Sequence, residues 1–170
     1  MKRLLPVLSF GLLLSLAARA ETRVAVYFSP GASCTAAIVR EIANAKSSIH
    51  VQAYSFTSQW IAKALVDAEK RGVKVVAILD ASNRTKNYTA ADFLVHEGIE
   101  TYIDSQHSIA HNKIIIIDNA TVITGSFNFT KAADEKNAEN LLVIPDAEIA
   151  AKYEENWARH FAHSEYYAGK

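Results

Sequence analysis

The 170-residue chain contains a single cysteine, Cys34, so it cannot close a disulfide within itself. Its three prolines and six glycines are too few for a collagen-like or low-complexity fibre. Neither sign of charge dominates, with 18 Lys and Arg against 18 Asp and Glu. Because half of the residues are hydrophobic, these scarcities indicate one globular domain whose stability depends on a buried core.

The longest apolar run lies near the N-terminus, over residues 4–18. It follows two basic residues, and small residues before position 21 fit a signal-peptidase cleavage site. The run is shorter than the roughly 20 apolar residues that a membrane-spanning helix needs. We therefore predict a signal peptide over residues 1–20 and a mature domain over residues 21–170 without stable membrane association.

Removal of that leader changes the charge balance. The leader carries three of the 18 basic residues, so the mature chain would have 15 Lys and Arg against 18 Asp and Glu. A mildly acidic protein cannot bind nucleic acid through its overall charge. Any such binding must therefore come from local groups.

Short β-rich runs alternate with helical hydrophobic periodicity from residue 22 onward. This alternation predicts one α/β domain with a mixed, mainly parallel sheet and helices on both faces. The predicted strands are 23–29, 48–56, 73–79, 99–103, 110–118, 121–126 and 139–144, and the predicted helices are 33–45, 58–72, 89–96 and 146–161.

Chemistry is concentrated between residues 111 and 128. In a strand, His111 and Lys113 would project on one face about 7 Å apart, because side chains alternate with period two. Ser126 and Asn128 have the same spacing after Gly125, which allows a close backbone approach. An imidazole, an ammonium, a hydroxyl and an amide could together surround a phosphoryl group, with His111 free to attack phosphorus.

Two carboxylates accompany this segment. Asp118 lies five residues after Lys113, so in a regular strand it faces the other side, and a structural role is favoured over direct catalysis. Glu139 opens an otherwise apolar predicted strand. We expect it to orient the imidazole of His111, since an acidic group there needs a polar partner.

The pattern H-x-K-x4-D-x6-G-S-x-N resembles the HKD motif of the phospholipase D superfamily. The resemblance implies a phospholipase D-like fold and phosphodiester hydrolysis through a covalent phosphohistidine, without a metal. It carries over six catalytic positions: His111, Lys113, Asp118, Ser126, Asn128 and Glu139. With its leader and short mature length, the chain is similar to the small periplasmic endonucleases of that superfamily, which implies a DNA substrate, with RNA as a further candidate.

The motif occurs once, and the chain shows no internal repeat. Phosphodiester cleavage without a metal needs a nucleophile on one side of phosphorus and a proton donor on the other. One histidine cannot occupy both places. We therefore predict a homodimer whose two-fold axis passes through the active site, with His111 contributed by each subunit.

The sequence indicates no cofactor or metal. No ligand spacing is evident among the other histidines, which are His50, His96, His107, His160 and His163, and no acidic cluster suits Mg²⁺. Besides Lys113, Ser126 and Asn128, the candidate substrate-binding residues are the cations Arg84, Lys86 and Lys131. These cations are equally explained as solvated surface charges. Aromatic residues such as Tyr54 fit core packing better than stacking on bases.

Two other functions remain open at this stage. A phospholipase or cardiolipin hydrolase would use the same chemistry on a lipid, although no amphipathic cationic helix is evident. A secreted binding module would keep the motif without turnover, although every catalytic position of the pattern is filled.

Overall fold

The computed structural model describes residues 23–31, 33–85 and 87–170. The predicted signal peptide over residues 1–20 and the predicted substrate-binding residue Lys86 lie outside this part of the chain, and both stay predictions.

Eight strands and five α-helices form the described part of the chain. The strands are β1 (Ala25–Ser29), β2 (Ser48–Ala53), β3 (Lys74–Asp80), β4 (Glu100–Asp104), β5 (Lys113–Ile117), β6 (Thr121–Gly125), β7 (Glu139–Pro145) and β8 (Glu165–Tyr166). The helices are α1 (Ser33–Asn44), α2 (Gln59–Lys70), α3 (Ala90–His96), α4 (Lys131–Glu135) and α5 (Ala147–Phe161), with a 3₁₀ turn over Ala81–Asn83.

All strands belong to one sheet in the order β1-β7-β6-β5-β2-β3-β4-β8. The predicted mixed sheet is confirmed, but its pairing is mainly antiparallel rather than mainly parallel. Only β2–β3 and β3–β4 pair in parallel among the described strands. These strands are connected through α2 and α3, whereas β5 and β6 are joined by the tight connection 118–120, and such short links produce antiparallel neighbours.

Helices cover both faces of the sheet, as predicted. Helices α1 to α4 pack on one face, where the largest apolar cluster includes Ile38, Leu65 and Leu94. Helix α5 packs on the other face through Ala150 and Trp157. No helix in the described part of the chain combines the length and hydropathy required to cross a bilayer.

Side-chain caps fix where the helices begin. Ser58, Thr89 and Asp146 each accept a hydrogen bond from the first turn of α2, α3 and α5. The sequence patterns did not indicate α4 or β8, which have five and two residues and are too short for a hydrophobic period to be visible. Cys34 is fully buried in the core, and burial raises the pKa of its thiol, so it is an inert packing residue.

Strand direction determines where the functional groups meet. The C-terminal ends of β2 and β6 and the N-terminal ends of β5 and β7 lie at the same end of the sheet, because these neighbouring strands are antiparallel. Residues at these strand ends, or just beyond them, therefore lie close together at one end of the sheet. They include Tyr54, Lys113, Ser126 and Glu139.

Candidate active site

Lys113 is the first residue of β5 and is 7% exposed. Its ammonium donates a 2.7 Å hydrogen bond to the backbone carbonyl of His111 and lies 5.1 Å from the centre of the Tyr54 ring. Burial lowers the pKa of the Lys113 ammonium, and the negative charge of Glu139 partly opposes that change. The side chain thus presents a largely desolvated positive charge beside His111.

His111 is exposed and precedes β5 rather than lying within it, because the strand begins three residues later than predicted. Its ring packs on Tyr54 with 4.7 Å between ring centres. The loop before β5 is held by two hydrogen bonds. The Tyr54 N–H donates to the Asn112 carbonyl at 2.9 Å, and the Ala110 N–H donates to the Asp80 carboxylate at 2.7 Å. These two hydrogen bonds to backbone groups on either side of His111 therefore position the imidazole, although His111 is not part of a strand.

Ser126 follows directly after β6. Gly125 has a φ of 152°, and a Cβ at this position would collide with the Asn140 carbonyl oxygen, so glycine is required for the close approach. The Ser126 hydroxyl donates a 2.6 Å hydrogen bond to Glu139 and accepts one from the Asn140 N–H at 3.1 Å. Its orientation is therefore fixed from two sides.

Glu139 contacts different groups from those expected. Its carboxylate accepts hydrogen bonds from Ser126 and, at 3.1 Å, from the Asn137 side chain. No hydrogen bond joins it to His111 among the described residues of the single chain. The reason is the strand order: β6 lies between β5 and β7, so the start of β7 is beside Ser126 and two strands from the start of β5.

Asn128 completes the group. Its side-chain oxygen is buried and has no hydrogen-bond partner within the described chain. Together with Gly125, the predicted residues line one shallow, open depression of about 450 Å³: His111, Lys113, Ser126, Asn128 and Glu139. Five of the six motif-derived positions are thus brought together.

Asp118, the sixth position, lies at the opposite end of β5. Its carboxylate accepts hydrogen bonds from the backbone N–H groups of Lys46, Ser47 and Ser48 and from the Ser47 hydroxyl, at 2.7–3.2 Å. Burial opposes ionisation, but these hydrogen bonds hold the pKa of Asp118 below its ordinary value. The favoured structural role agrees with this location, since Asp118 fastens the α1–β2 connection to the end of the hairpin.

Two of the predicted peripheral cations, Arg84 and Lys131, are separate from the depression. Arg84 forms a 3.0 Å ion pair with Glu165 and lies over the Tyr167 ring. Lys131 is exposed on α4, pairs with Glu135 at 3.6 Å and lines a neighbouring hollow. Neither side chain is among those that line the depression of His111.

Tyr54 was not expected at the site, because the sequence favoured core packing for its side chain. Its position immediately after β2, which pairs with the strand that Lys113 opens, was the available signal. The assembled groups are an accessible imidazole, a desolvated ammonium, an oriented hydroxyl and an unpaired amide. Such a set can bind the oxygens of a tetrahedral phosphoryl group while a ring nitrogen approaches phosphorus.

Comparison with known proteins agrees with this geometry. Residues 38–161 match the family described as cardiolipin synthase, PLD-like domain. The crystal structure of Nuc from Salmonella typhimurium, a phospholipase D family member, is 41% identical with a TM-score of 0.82, covering 86% of this chain and 99% of that chain.

Curated proteins are similar over most of the chain. A phospholipase D of Rickettsia bellii is 47% identical over 137 residues, which are 81% of this chain and 68% of that protein. A mitochondrial cardiolipin hydrolase of Mus musculus is 30% identical over 122 residues, 72% of this chain and 55% of that protein. The family match and the shared fold confirm the resemblance carried by the motif: the chain belongs to the phospholipase D superfamily of phosphodiesterases.

Proposed function

We propose that this protein is a metal-independent endonuclease that hydrolyses DNA, with RNA as a further substrate, and has little sequence preference. The observation that carries the proposal is a single set of His111, Lys113, Ser126 and Asn128 in an open depression at the sheet edge. An open site suits a polymer that lies across it. The resemblance of the chain to the small periplasmic endonucleases of the superfamily supports the same substrate class, and the fold shared with Nuc at 41% identity agrees with that resemblance.

The reaction proceeds in two displacements at phosphorus. A ring nitrogen of His111 attacks, a P–N bond forms, and the P–O bond to the leaving nucleotide breaks while a second imidazole protonates the departing oxygen. Water then attacks phosphorus from the vacated side and the P–N bond breaks. The second imidazole takes the proton of the water, so both histidines return to their initial states.

In this scheme the non-bridging oxygens accept hydrogen bonds from the Lys113 ammonium and from the side-chain N–H groups of Asn128. Charge grows on those oxygens as the pentavalent transition state forms, and groups already desolvated interact with it strongly. Ser126 orders the same side of the depression through its hydrogen bond to Glu139. Glu139 thereby acts as a positioning residue for the hydroxyl.

The second imidazole comes from a second subunit in the proposed mechanism. Each chain supplies one His111, and a two-fold axis through the depression places two of them on opposite sides of one phosphorus. His111 is exposed in the single chain and the depression is open, as a site completed by another subunit requires. Catalysis then depends on dimerisation.

A lipid phosphodiesterase is the alternative function. The names of the Rickettsia bellii and Mus musculus relatives favour a phospholipid or cardiolipin substrate. The catalytic chemistry would be unchanged, since the motif recognises the phosphodiester and not its substituents. For either substrate we expect export through the signal peptide into the periplasm.

One set of assays separates these functions. Purified protein is incubated with plasmid DNA, an RNA transcript, phosphatidylcholine and cardiolipin, alongside His111→Ala and the control His96→Ala, which alters a histidine on α3 away from the depression. Cleavage of DNA by wild type and control, but not by His111→Ala, is the expected result. Lipid turnover without DNA cleavage would establish the alternative.

A mixing experiment tests the shared site. Wild-type and His111→Ala subunits are combined in equal amounts and allowed to exchange, then sedimentation establishes the dimer. If both imidazoles are required, only dimers of two intact subunits turn over, and activity falls to about a quarter of that of the same total amount of wild type. Activity near half, or full activity of a strict monomer, would contradict a shared site.

Metal independence has its own test. Cleavage is measured at 25 °C after exhaustive chelation and dialysis, with far-ultraviolet circular dichroism to confirm that the protein is folded. We expect turnover within about twofold of that before chelation, since the imidazole attacks directly and no step needs a Lewis acid. If folded protein lost activity on chelation and a divalent ion restored that activity, the result would contradict metal independence.

A further inference from the structure

Asp104 is surrounded by three histidines and lies at the same end of the sheet as the depression. One carboxylate oxygen of Asp104, Oδ2, lies 2.9 Å from Nδ1 of His107, 2.8 Å from Nδ1 of His160 and 3.3 Å from Nε2 of His163. These four atoms all lie within 4.8 Å of one another. Asp104 ends β4, His107 follows in the next loop, and the other two histidines are at the C-terminal end of α5.

The carboxylate is oriented for this arrangement. Its other oxygen, Oδ1, accepts hydrogen bonds from the backbone N–H groups of Gln106 and His107, at 3.2 and 3.4 Å. Asp104 has no exposed surface. The backbone therefore directs Oδ2 at the three imidazoles, in the way that outer hydrogen bonds orient the carboxylate of a metal site.

Hydrogen bonding alone does not explain all three histidines. His107 and His160 bond to the carboxylate, whereas Nε2 of His163 is buried and makes no hydrogen bond in the described chain. Its 3.3 Å contact with Oδ2 of Asp104 is not a hydrogen bond, and a buried nitrogen that makes no hydrogen bond costs roughly 1–3 kcal/mol. It is aimed into the cluster, where a ligand would satisfy it.

The distances fit a small tetrahedral ion. Zn–N and Zn–O bonds of about 2.0–2.1 Å place neighbouring ligand atoms roughly 3.3 Å apart. The three distances to Oδ2 are 2.8–3.3 Å, and the ligand atoms of the four residues lie within 4.8 Å of one another, so the imidazoles would move closer together when the ion binds. Two of the histidines are partly buried, with side-chain exposures of 14% and 21%.

The donor atoms select the metal. Three imidazole nitrogens and one carboxylate oxygen suit Zn²⁺ and its neighbours among transition metals. Mg²⁺ and Ca²⁺ prefer sites made of oxygen atoms. Four protein ligands leave no open position for a reactive water, which is typical of a structural zinc site.

We propose that Asp104, His107, His160 and His163 bind one Zn²⁺, which fastens the loop between β4 and β5 to the end of α5. The cluster is separate from the catalytic depression. In the sheet order, β5 and β4 are three strand spacings apart, or about 14 Å. The ion therefore stabilises the loop that leads to His111 and takes no part in the reaction, and this inference does not rest on the proposed nuclease activity.

Sequence spacing did not indicate this cluster, because the fold brings together three histidines that show no evident ligand spacing along the chain. The ligands form two pairs with i, i+3 spacing, Asp104 with His107 and His160 with His163. The pairs are 56 residues apart along the chain, measured from Asp104 to His160. Antiparallel pairing of β8 with β4 brings the end of α5 to the end of β4.

The test measures metal binding directly. The purified protein is stripped with chelator and titrated with Zn²⁺ by calorimetry at neutral pH, and Co²⁺ is added separately to record its visible absorption. His163→Gln and His107→Gln remove one ligand each. His96→Gln is the matched control outside the cluster, and His111→Ala reports binding in the catalytic depression.

We expect one Zn²⁺ per chain and an intense tetrahedral Co²⁺ spectrum in wild type, His96→Gln and His111→Ala. Each ligand variant should bind at least about tenfold more weakly and lose the Co²⁺ spectrum. At a hundredfold excess over Kd, Zn²⁺ should raise the Tm of wild type by about 5–10 °C. A smaller response is expected for the ligand variants.

Three outcomes would overturn the proposal. They are an absence of stoichiometric Zn²⁺ binding by wild type, undiminished binding by both ligand variants, or loss of binding in His111→Ala alone. Because His107 is on a loop and 47% exposed, His107→Gln should fold even if His163→Gln does not. Circular dichroism of the metal-free variants identifies any that fail to fold.

Discussion

The ammonium of Lys113 lies over the ring of Tyr54, 5.1 Å from its centre, and the imidazole of His111 packs on the same ring. The aromatic ring therefore contacts both proposed catalytic groups. It compensates the desolvated charge through a cation–π interaction and limits the orientations of the imidazole.

This relationship predicts how substitutions at Tyr54 affect turnover. Tyr54→Phe keeps the ring and should stay within about twofold of wild type. Tyr54→Ala should lower kcat by about 2- to 30-fold, as expected for the loss of 0.5–2 kcal/mol from a cation–π contact. Steady-state cleavage of a short labelled oligonucleotide measures both. Equal losses in the two variants would mean that the hydroxyl, not the ring, is the functional part.

The lowered pKa of Lys113 predicts an alkaline limit to activity. As pH rises through the folded pKa, the ammonium loses its proton and no longer attracts phosphate, so kcat/KM should fall at a pH below the ordinary lysine value of about 10.4. Glu139→Gln removes the charge that partly opposes the shift, so this limit should move to lower pH. Glu135→Gln alters a carboxylate on α4 outside the depression and should leave the profile unchanged. An unchanged alkaline limit in Glu139→Gln would show that another group is titrating.

Asp118 should contribute to stability and not to turnover. Asp118→Ala leaves three backbone N–H groups without their acceptor, and should lower the free energy of unfolding by about 2–3 kcal/mol. Because the folded pKa of Asp118 is lowered, the stabilisation is present above about pH 4 and is lost as pH falls through the folded value. Urea denaturation measures the effect, and Asp67→Ala, at an exposed position of α2, is the control. A loss of kcat beyond about a hundredfold in folded protein would instead assign Asp118 to the reaction.

The C-terminal segment carries a second pH-dependent contact. The Tyr167 hydroxyl donates a 2.7 Å hydrogen bond to the fully buried carboxylate of Asp92. Burial and this bond raise the pKa of Tyr167 to about 12, against an ordinary value of about 10. As pH rises past 10 the unfolded chain loses this proton first, so the free energy of unfolding falls.

Replacing that hydroxyl tests the contact. Tyr167→Phe should be less stable than wild type by about 1–3 kcal/mol at neutral pH, because one oxygen of Asp92 loses its partner. The difference should narrow as pH rises above about 10. Tyr166→Phe, at the exposed neighbouring position, should behave as wild type in urea denaturation at each pH. A difference independent of pH would contradict the assignment of the raised pKa.

Sequence periodicity predicted most helices and strands, because the side chains of each element that face the core recur with the period of that element. The strands β2, β3 and β5 and the helices α1, α2 and α5 were placed to within a few residues. Pairing direction was less predictable, because β5, β6 and β7 return through short links that hydrophobic patterns do not distinguish from crossovers. His111 also lies outside the strand assigned to it, because β5 begins at Lys113 and the preceding loop is held by hydrogen bonds of Asn112 with Tyr54 and of Ala110 with Asp80.

The site was predictable where one segment supplies it. The motif residues His111, Lys113, Ser126 and Asn128 meet because β5 and β6 form a hairpin, which the sequence indicates. The contacts of Glu139 depend on which strand comes between β5 and β7, and the cluster at Asp104 depends on where α5 ends. Both are properties of tertiary structure that spacing along the chain does not contain.

The shallow, open form of the depression also determines how a long substrate can reach His111. A closed tunnel admits a chain only by threading from a terminus, whereas an open surface receives any phosphodiester that contacts it from the side. For the proposed nuclease, the open depression of the single chain places no requirement for a free end on the polymer, and we expect circular DNA to be cleaved as readily as linear DNA.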